Sequence, residues 1–216
     1  MHWYEDSYRA RRILSAIKWI PKMSEDTIYF PCDIGFSHGQ SFISRMIRKC
    51  TTSHKESKSV INHVFAFISY GDKKEAEVVE SLWKVTKHKF LNAYAKLKGK
   101  EKVVVFRPVN LTDEQKDIII KDLLSDVGAD YPWWQFPLFF TDWLLFDEKV
   151  VTRKWINHAK HKVCSTKTAR AYVQAGLFFG VPEYAATPDD MYDFCIKNPD
   201  KYQLILPLSF LDGESS

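Results

Sequence analysis

The sequence predicts an α+β fold. Three observations lead there. Strand-like segments gather early and helix-like segments gather late, rather than alternating as a parallel α/β sheet requires. One pair of strand segments flanks a Gly-Asp turn, which is a hairpin signal. The chain of 216 residues is 45% hydrophobic and 15% aromatic, enough to bury a core without disulfides. Disorder and low-complexity classes are excluded by that composition, with only 8 Gly and 9 Pro.

Tyr8 to Ile20 carries Ile13, Ile17 and Ile20 at helical spacing beside Arg9, Arg11, Arg12 and Lys18. It predicts a basic amphipathic helix, so residues 1–26 form an N-terminal helical extension and residues 27–216 the main domain. Such a helix either docks on the domain or lies on an anionic surface. Thr27 to Phe36 predicts a strand ending near Gly35, and Ser41 to Lys49 a helix with Phe42, Ile43, Met46 and Ile47 on one stripe. The polar run Thr51 to Ser59 predicts an exposed loop. Val60 to Ser69 predicts a strand, Gly71-Asp72 a turn, and Ala76 to Trp83 the partner strand.

Phe90 to Leu97 predicts a helix broken by Gly99, and Lys102 to Arg107 a strand ended by Pro108. Thr112 and Gln115 match a capping box for the next helix, Asp113 and Glu114 suit its positive end, and Gly128 stops it. Tyr131 to Phe146 is an aromatic segment, loop or irregular helix. Ser165 to Ala175 predicts a helix stopped by Gly176. Thr187-Pro188-Asp189-Asp190 opens another with a cap, a proline and acids. Gln203 to Leu206 predicts a short closing strand.

Charge and cysteine usage narrow the function classes. Lys plus Arg exceeds Asp plus Glu by 31 − 27 = 4, and the basic residues are dispersed. No nucleic-acid partner is expected. The four cysteines are far apart and form no CxxC pair, so neither a zinc ribbon nor a dithiol redox motif is expected. No signal peptide is legible, and the longest uncharged aromatic stretch, Tyr131 to Thr141, is closed by Asp142 before it could span a bilayer. The expectation is a cytoplasmic protein with free thiols.

Cys164 sits where a basic stretch, HAKHKVC, turns into a helix. A thiol at a helix N-terminus meets unpaired backbone N–H groups, which favour the nucleophilic thiolate and can hold an oxyanion. The same placement also suits plain packing. His63 shares a strand face, by alternation, with Ile61, Phe65 and Phe67 and is either a satisfied core histidine or a base for a nearby thiol. Glu80 lies in phase with Val78 and Leu82 on the next strand, where it either partners His63 or faces solvent. Arg107 either pairs with a carboxylate or caps its strand. Trp133, Trp134, Phe136, Phe139, Phe140 and Trp143 either line a groove or fill a core. His158, His161 and Cys164 fall at three-residue steps, but no fourth ligand is in sequence reach, and no metal is expected. No glycine-rich phosphate loop is present.

The order His63, Glu80, Cys164 is the papain-like order Cys, His, polar orienter cut at another point, and a circular permutation preserves site geometry. The chain resembles the circularly permuted branch of the NlpC/P60 papain-like superfamily, the YiiX/YaeF-type cysteine hydrolases. Asp33-Ile34-Gly35 stands for the family's GDI strand, with Cys32 where the family carries its leading glycine. Ser59 to Phe65 matches the strand with the histidine, and Val78-Val79-Glu80-Ser81 the next. Val103 to Pro108 matches a strand ending in Arg-Pro, and Tyr131-Pro132-Trp133-Trp134 an aromatic segment. Cys164-Ser165 matches the nucleophile motif and Thr187-Pro188-Asp189-Asp190 a late Thr-Pro segment.

The resemblance covers residues 27 to 207. It implies a permuted papain-like fold, an antiparallel sheet or barrel packed against helices including the nucleophile helix. It implies a cysteine hydrolase that cleaves an amide bond of peptide or cell-wall type through an acyl-enzyme. Cys164 would be the nucleophile, His63 the general base and Glu80 the orienting acid, with Tyr131, Trp133 and Trp134 binding a peptide- or acyl-containing substrate. No cofactor is implied. The family also allows a lipid acyl hydrolase or acyltransferase at a membrane surface, or a non-catalytic, virion-associated binding module.

Overall fold

The computed structural model describes residues 27–39, 61–81, 84–94, 102–129 and 164–210. The predicted N-terminal helix, the 41–49 helix, the 51–59 loop and the 131–146 aromatic segment lie outside the described residues. Strands β1 (Ile34–His38), β2 (His63–Phe67), β3 (Glu77–Ser81), β4 (Val85–Lys89), β5 (Lys102–Pro108) and β6 (Tyr202–Phe210) form one sheet in the order β4-β3-β2-β1-β5-β6. All neighbours pair antiparallel. Among the described residues the helices are α1 (Phe90–Tyr94), α2 (Asp113–Ser125), α3 (Cys164–Gln174) and α4 (Pro188–Lys197), and the fold is α+β. No helix among the described residues is long and apolar enough to cross a membrane.

The central strands are buried on both faces. Ile34, Phe36, Val64, Ala66, Val104 and Phe106 point to one side, where α2, α3 and α4 pack through Ile119, Leu123, Ala169, Tyr172, Met191 and Cys195. The alternate residues Phe65, Phe67, Val78, Val103 and Val105 point to the other side and meet Tyr29, Phe90 and Tyr94 in a second, aromatic core. Two-sided burial explains why HVFAF and KVVVFRP read as continuous apolar runs rather than alternating ones.

The hairpin forms as expected, with Phe65 opposite Glu80 and Phe67 opposite Val78. The predicted strand from Thr27 is corrected: the ladder begins only at Ile34. Before it, Tyr29 makes a lone bridge to Gly71, and the Asp33 N–H donates to the Phe30 carbonyl at 3.1 Å. Pro31 and Cys32 are the middle of that turn, and Cys32 has φ 71°. Proline followed by a left-handed residue is the type II pattern, so a tight turn replaces the start of the strand.

β4 was not expected. VTKHK carries two lysines and a histidine, and only Val85 of its five residues is buried. A charged edge strand lacks the apolar alternation by which strands are recognised, and its charges discourage edge-to-edge association. The closing strand is longer than expected, Tyr202–Phe210 instead of Gln203 to Leu206.

The predicted capping box of α2 forms, and the predicted cap Thr187 closes a second box that was not expected. Thr112 accepts from the Gln115 N–H while the Gln115 side chain accepts from Thr112 N–H. Thr187 and Asp190 do the same for α4. α3 is anchored along its length. The Lys167 ammonium lies 2.6 Å from Asp126, Arg170 pairs with Asp122 at 3.1 Å, and Gln115 donates to the Ala175 carbonyl at 2.8 Å. The Tyr172 hydroxyl donates to the Cys32 carbonyl at 2.8 Å, tying the helix to the turn before β1. These contacts fix where the first residue of α3 stands.

Candidate functional site

Cys164 is the first residue of α3, and it is 8% exposed. α3 packs across β2, so its start meets His63, the first residue of that strand. His63 hydrogen-bonds Glu80, and Cys164 lies close enough to the ring to shift its protonation. The three sequence-predicted catalytic residues therefore meet, although 101 positions of sequence, 164 − 63, separate cysteine from histidine.

The sheet register explains the histidine–glutamate contact. Glu80 is directly opposite Phe65, so His63, two residues earlier on the same face, is its diagonal neighbour. His63 Nε2 lies 2.7 Å from Glu80 Oε2. At that separation the nitrogen facing a carboxylate carries a proton, so Nε2–H donates and Nδ1 remains for the thiol. Burial disfavours a charged imidazole, yet the hydrogen bonds and charges of Cys164 and Glu80 outweigh it and raise the His63 pKa. Burial likewise opposes the Glu80 carboxylate, yet His63 and His88 hold it well below the usual carboxylate range. The alternative of a solvent-facing Glu80 is excluded, since it is 4% exposed.

Two neighbours of Glu80 were missed by the sequence. The Tyr94 hydroxyl, at the end of α1, donates to Oε2 at 2.8 Å. His88 Nε2, on β4, lies 2.7 Å from Oε1, off the line of a good hydrogen bond. Neither stood out, because the strand carrying His88 was itself unrecognised. Only the β3–β4 register reveals it: His88 stands two residues from Thr86, which pairs with Glu80.

Arg107 does pair with a carboxylate, but on the turn before β1. Its Nε and a terminal nitrogen donate to the two oxygens of Asp33, each at 2.8 Å, and the same terminal nitrogen donates to the Ile28 carbonyl at 2.9 Å. The guanidinium also sits over the Phe30 ring, 4.0 Å from its centroid. Burial pushes the fully buried Asp33 carboxyl upward, against the opposing pull of Arg107. This fork braces β1 and β5.

Cys32 and Cys195 are free, like Cys164, and fully buried. Burial pushes the Cys32 thiol up to about 12 and the Cys195 thiol well above its ordinary value. Both are packing residues of the helix-side core. Tyr131, Trp133 and Trp134, expected to bind substrate, lie outside the described residues, as do Cys50, His158 and His161. Among the described residues no group of three or more potential metal ligands occurs. No known family model matches the chain, and no curated protein matches it.

Proposed function

We propose that this chain is a cysteine hydrolase of the circularly permuted papain-like type, cleaving an amide bond through Cys164, His63 and Glu80. The observation that carries the reading is the meeting of a thiol at a helix start with an imidazole whose far nitrogen is held 2.7 Å from a buried carboxylate. That is a nucleophile beside a base, with the base hydrogen-bonded to its orienter. Adjacent strands supply the base and its orienter, and the nucleophile helix crosses the base strand, as a permuted papain-like fold requires. The left-handed φ of Cys32 adds support, since it falls where the family carries glycine.

The reaction follows from the arrangement. His63 Nδ1 holds the proton drawn from Cys164, and the sulfur attacks the substrate carbonyl carbon as a thiolate. The backbone N–H groups at the start of α3 are the local donors for the resulting oxyanion. As the tetrahedral intermediate collapses, the C–N bond breaks and His63 gives its proton to the departing amine. Water then attacks the thioester, His63 accepts its proton, and the acid leaves as the thiol re-forms. Glu80 keeps the ring oriented and stabilises the transient imidazolium without taking its proton.

The test is covalent labelling joined to turnover. Purified chain is treated with iodoacetamide at neutral pH, and adducts are mapped by mass spectrometry. Cys164 is expected to react ahead of Cys32, Cys50 and Cys195, and Cys164→Ser is expected to abolish hydrolysis of a model acyl-amide. Labelling of Cys164 no faster than the other three thiols, or hydrolysis that survives Cys164→Ser, overturns the mechanism.

A further inference from the structure

The carboxylate of Glu80 serves more than His63. Oε2 accepts from His63 Nε2 at 2.7 Å and from the Tyr94 hydroxyl at 2.8 Å, while His88 Nε2 stands 2.7 Å from Oε1. Two lone pairs at that distance would repel, so His88 Nε2 carries a proton towards the oxygen. The His88 nitrogen is shut off from solvent and has no aligned hydrogen-bond partner, although the ring edge is partly exposed. A small ring rotation would bring the N–H into line. β4 thus delivers a second imidazole to the carboxylate that holds the first.

We propose that His88 is a positioning residue that shares the Glu80 carboxylate with His63 and so moderates its hold on the His63 imidazolium. The proposal rests on the catalytic reading above and deepens it. A base must release the proton it has taken, and a carboxylate whose charge is spent wholly on one imidazolium opposes that release. A second N–H at Oε1, and the tyrosine hydroxyl at Oε2, draw on the same negative charge.

Among the described residues, the groups around this centre are these. From β2 comes His63, from α3 Cys164, from α1 Tyr94 and from β3 Glu80 itself. On β4, Lys87 lies on the opposite face from His88 and pairs with Glu77 at 3.0 Å, and Lys89 also alternates away from His88.

The experiment follows the His63 ring nitrogens by NMR across a pH titration. It uses the full chain with Cys164→Ser, so that no thiol titrates beside the imidazole. In that background, His88→Ala is expected to raise the His63 midpoint by about one unit, because the carboxylate charge is no longer shared. His88→Gln sets an amide N–H near the Nε2 position and is expected to return most of the shift. Tyr94→Phe is expected to move the midpoint the same way.

An unchanged or lowered midpoint in His88→Ala overturns the proposal, as does a His88→Gln midpoint no nearer the parent's. Should His88→Ala not fold, His88→Asn, whose amide is too short to reach Oε1, gives the same discrimination. In chains with Cys164 intact, His88→Ala is expected to move the pH profile of Cys164 alkylation downward, because a more firmly held imidazolium favours the thiolate beside it, and His88→Gln to restore it. The titration requires no substrate, so it can fail while hydrolysis stands, and hydrolysis can fail while the shift is seen.

Discussion

Glu80→Gln separates the charge of the orienting residue from its shape. The carboxylate is buried and faces an N–H from His63 and an O–H from Tyr94, with the His88 nitrogen 2.7 Å away. A neutral amide keeps one oxygen for those donors and turns an NH2 towards the rest. Two unit charges about 4 Å apart at an effective dielectric of about 20 interact by about 4 kcal/mol. That corresponds to about three pKa units, and the neutral hydrogen bond that remains returns part of it. The His63 midpoint is therefore expected to fall by about two units from its value near 10.

Stability should report the same pair. The folded-state pKa of His63 is raised from an ordinary 6.5 to about 10, so its contribution is full below pH 6.5 and is lost as the pH rises through about 10. Glu80 is depressed from an ordinary 4.5, so its contribution is present above pH 4.5 and is lost as the pH falls through the lowered value. These are two ends of one interaction, counted once, and it is at full strength between pH 4.5 and 6.5. Wild-type stability should therefore decline from pH 6.5 towards 10, and the decline should be shallower and end earlier in Glu80→Gln. Urea unfolding at several pH values, beside the NMR titration of His63, checks both. A His63 midpoint within about 0.3 units of wild type in Glu80→Gln would refute the assignment of Glu80 as the source of the shift.

Three further outcomes follow from the same geometry. Arg107→Ala strands the buried Asp33 carboxylate and should cost about 3–5 kcal/mol at neutral pH, lowering Tm by about 10 °C. Because protonated Asp33 carries no charge, calorimetry should show the loss shrinking as the pH is lowered, and a pH-independent loss would count against the ion pair. Gly35→Ala would set its Cβ onto the Phe65 ring, whose centroid lies 4.7 Å from that of the tilted Tyr94 ring, and should cost about 1–3 kcal/mol by chemical denaturation. Cys32 and Cys195 should resist alkylation in the native chain and react only on unfolding, as time-resolved mass spectrometry would register.

The resemblance brought His63, Glu80 and Cys164 together before any coordinates, and pattern alone placed Cys164 beside a helix start and His63 and Glu80 on strand faces. It was silent on His88 and Tyr94. His88 escaped because VTKHK is a charged edge strand, where a residue's partner is set by pairing rather than by its neighbours in sequence. Thr27 to Cys32 was misread for the opposite reason: β-favouring side chains hid a Pro-Cys turn whose left-handed residue is not a glycine.

The sequence by itself determined what depends on a few adjacent residues. The boxes at Thr112–Gln115 and Thr187–Asp190 form because a cap and its acceptor lie three positions apart. Tertiary structure alone decided the order β4-β3-β2-β1-β5-β6, the diagonal that sets Glu80 against His63, and the burial of the central strands on both faces. Each of these is a long-range pairing. A one-residue slip would turn Glu80 to the other face while leaving every local signal unchanged, so only the packed sheet and its helices could fix it.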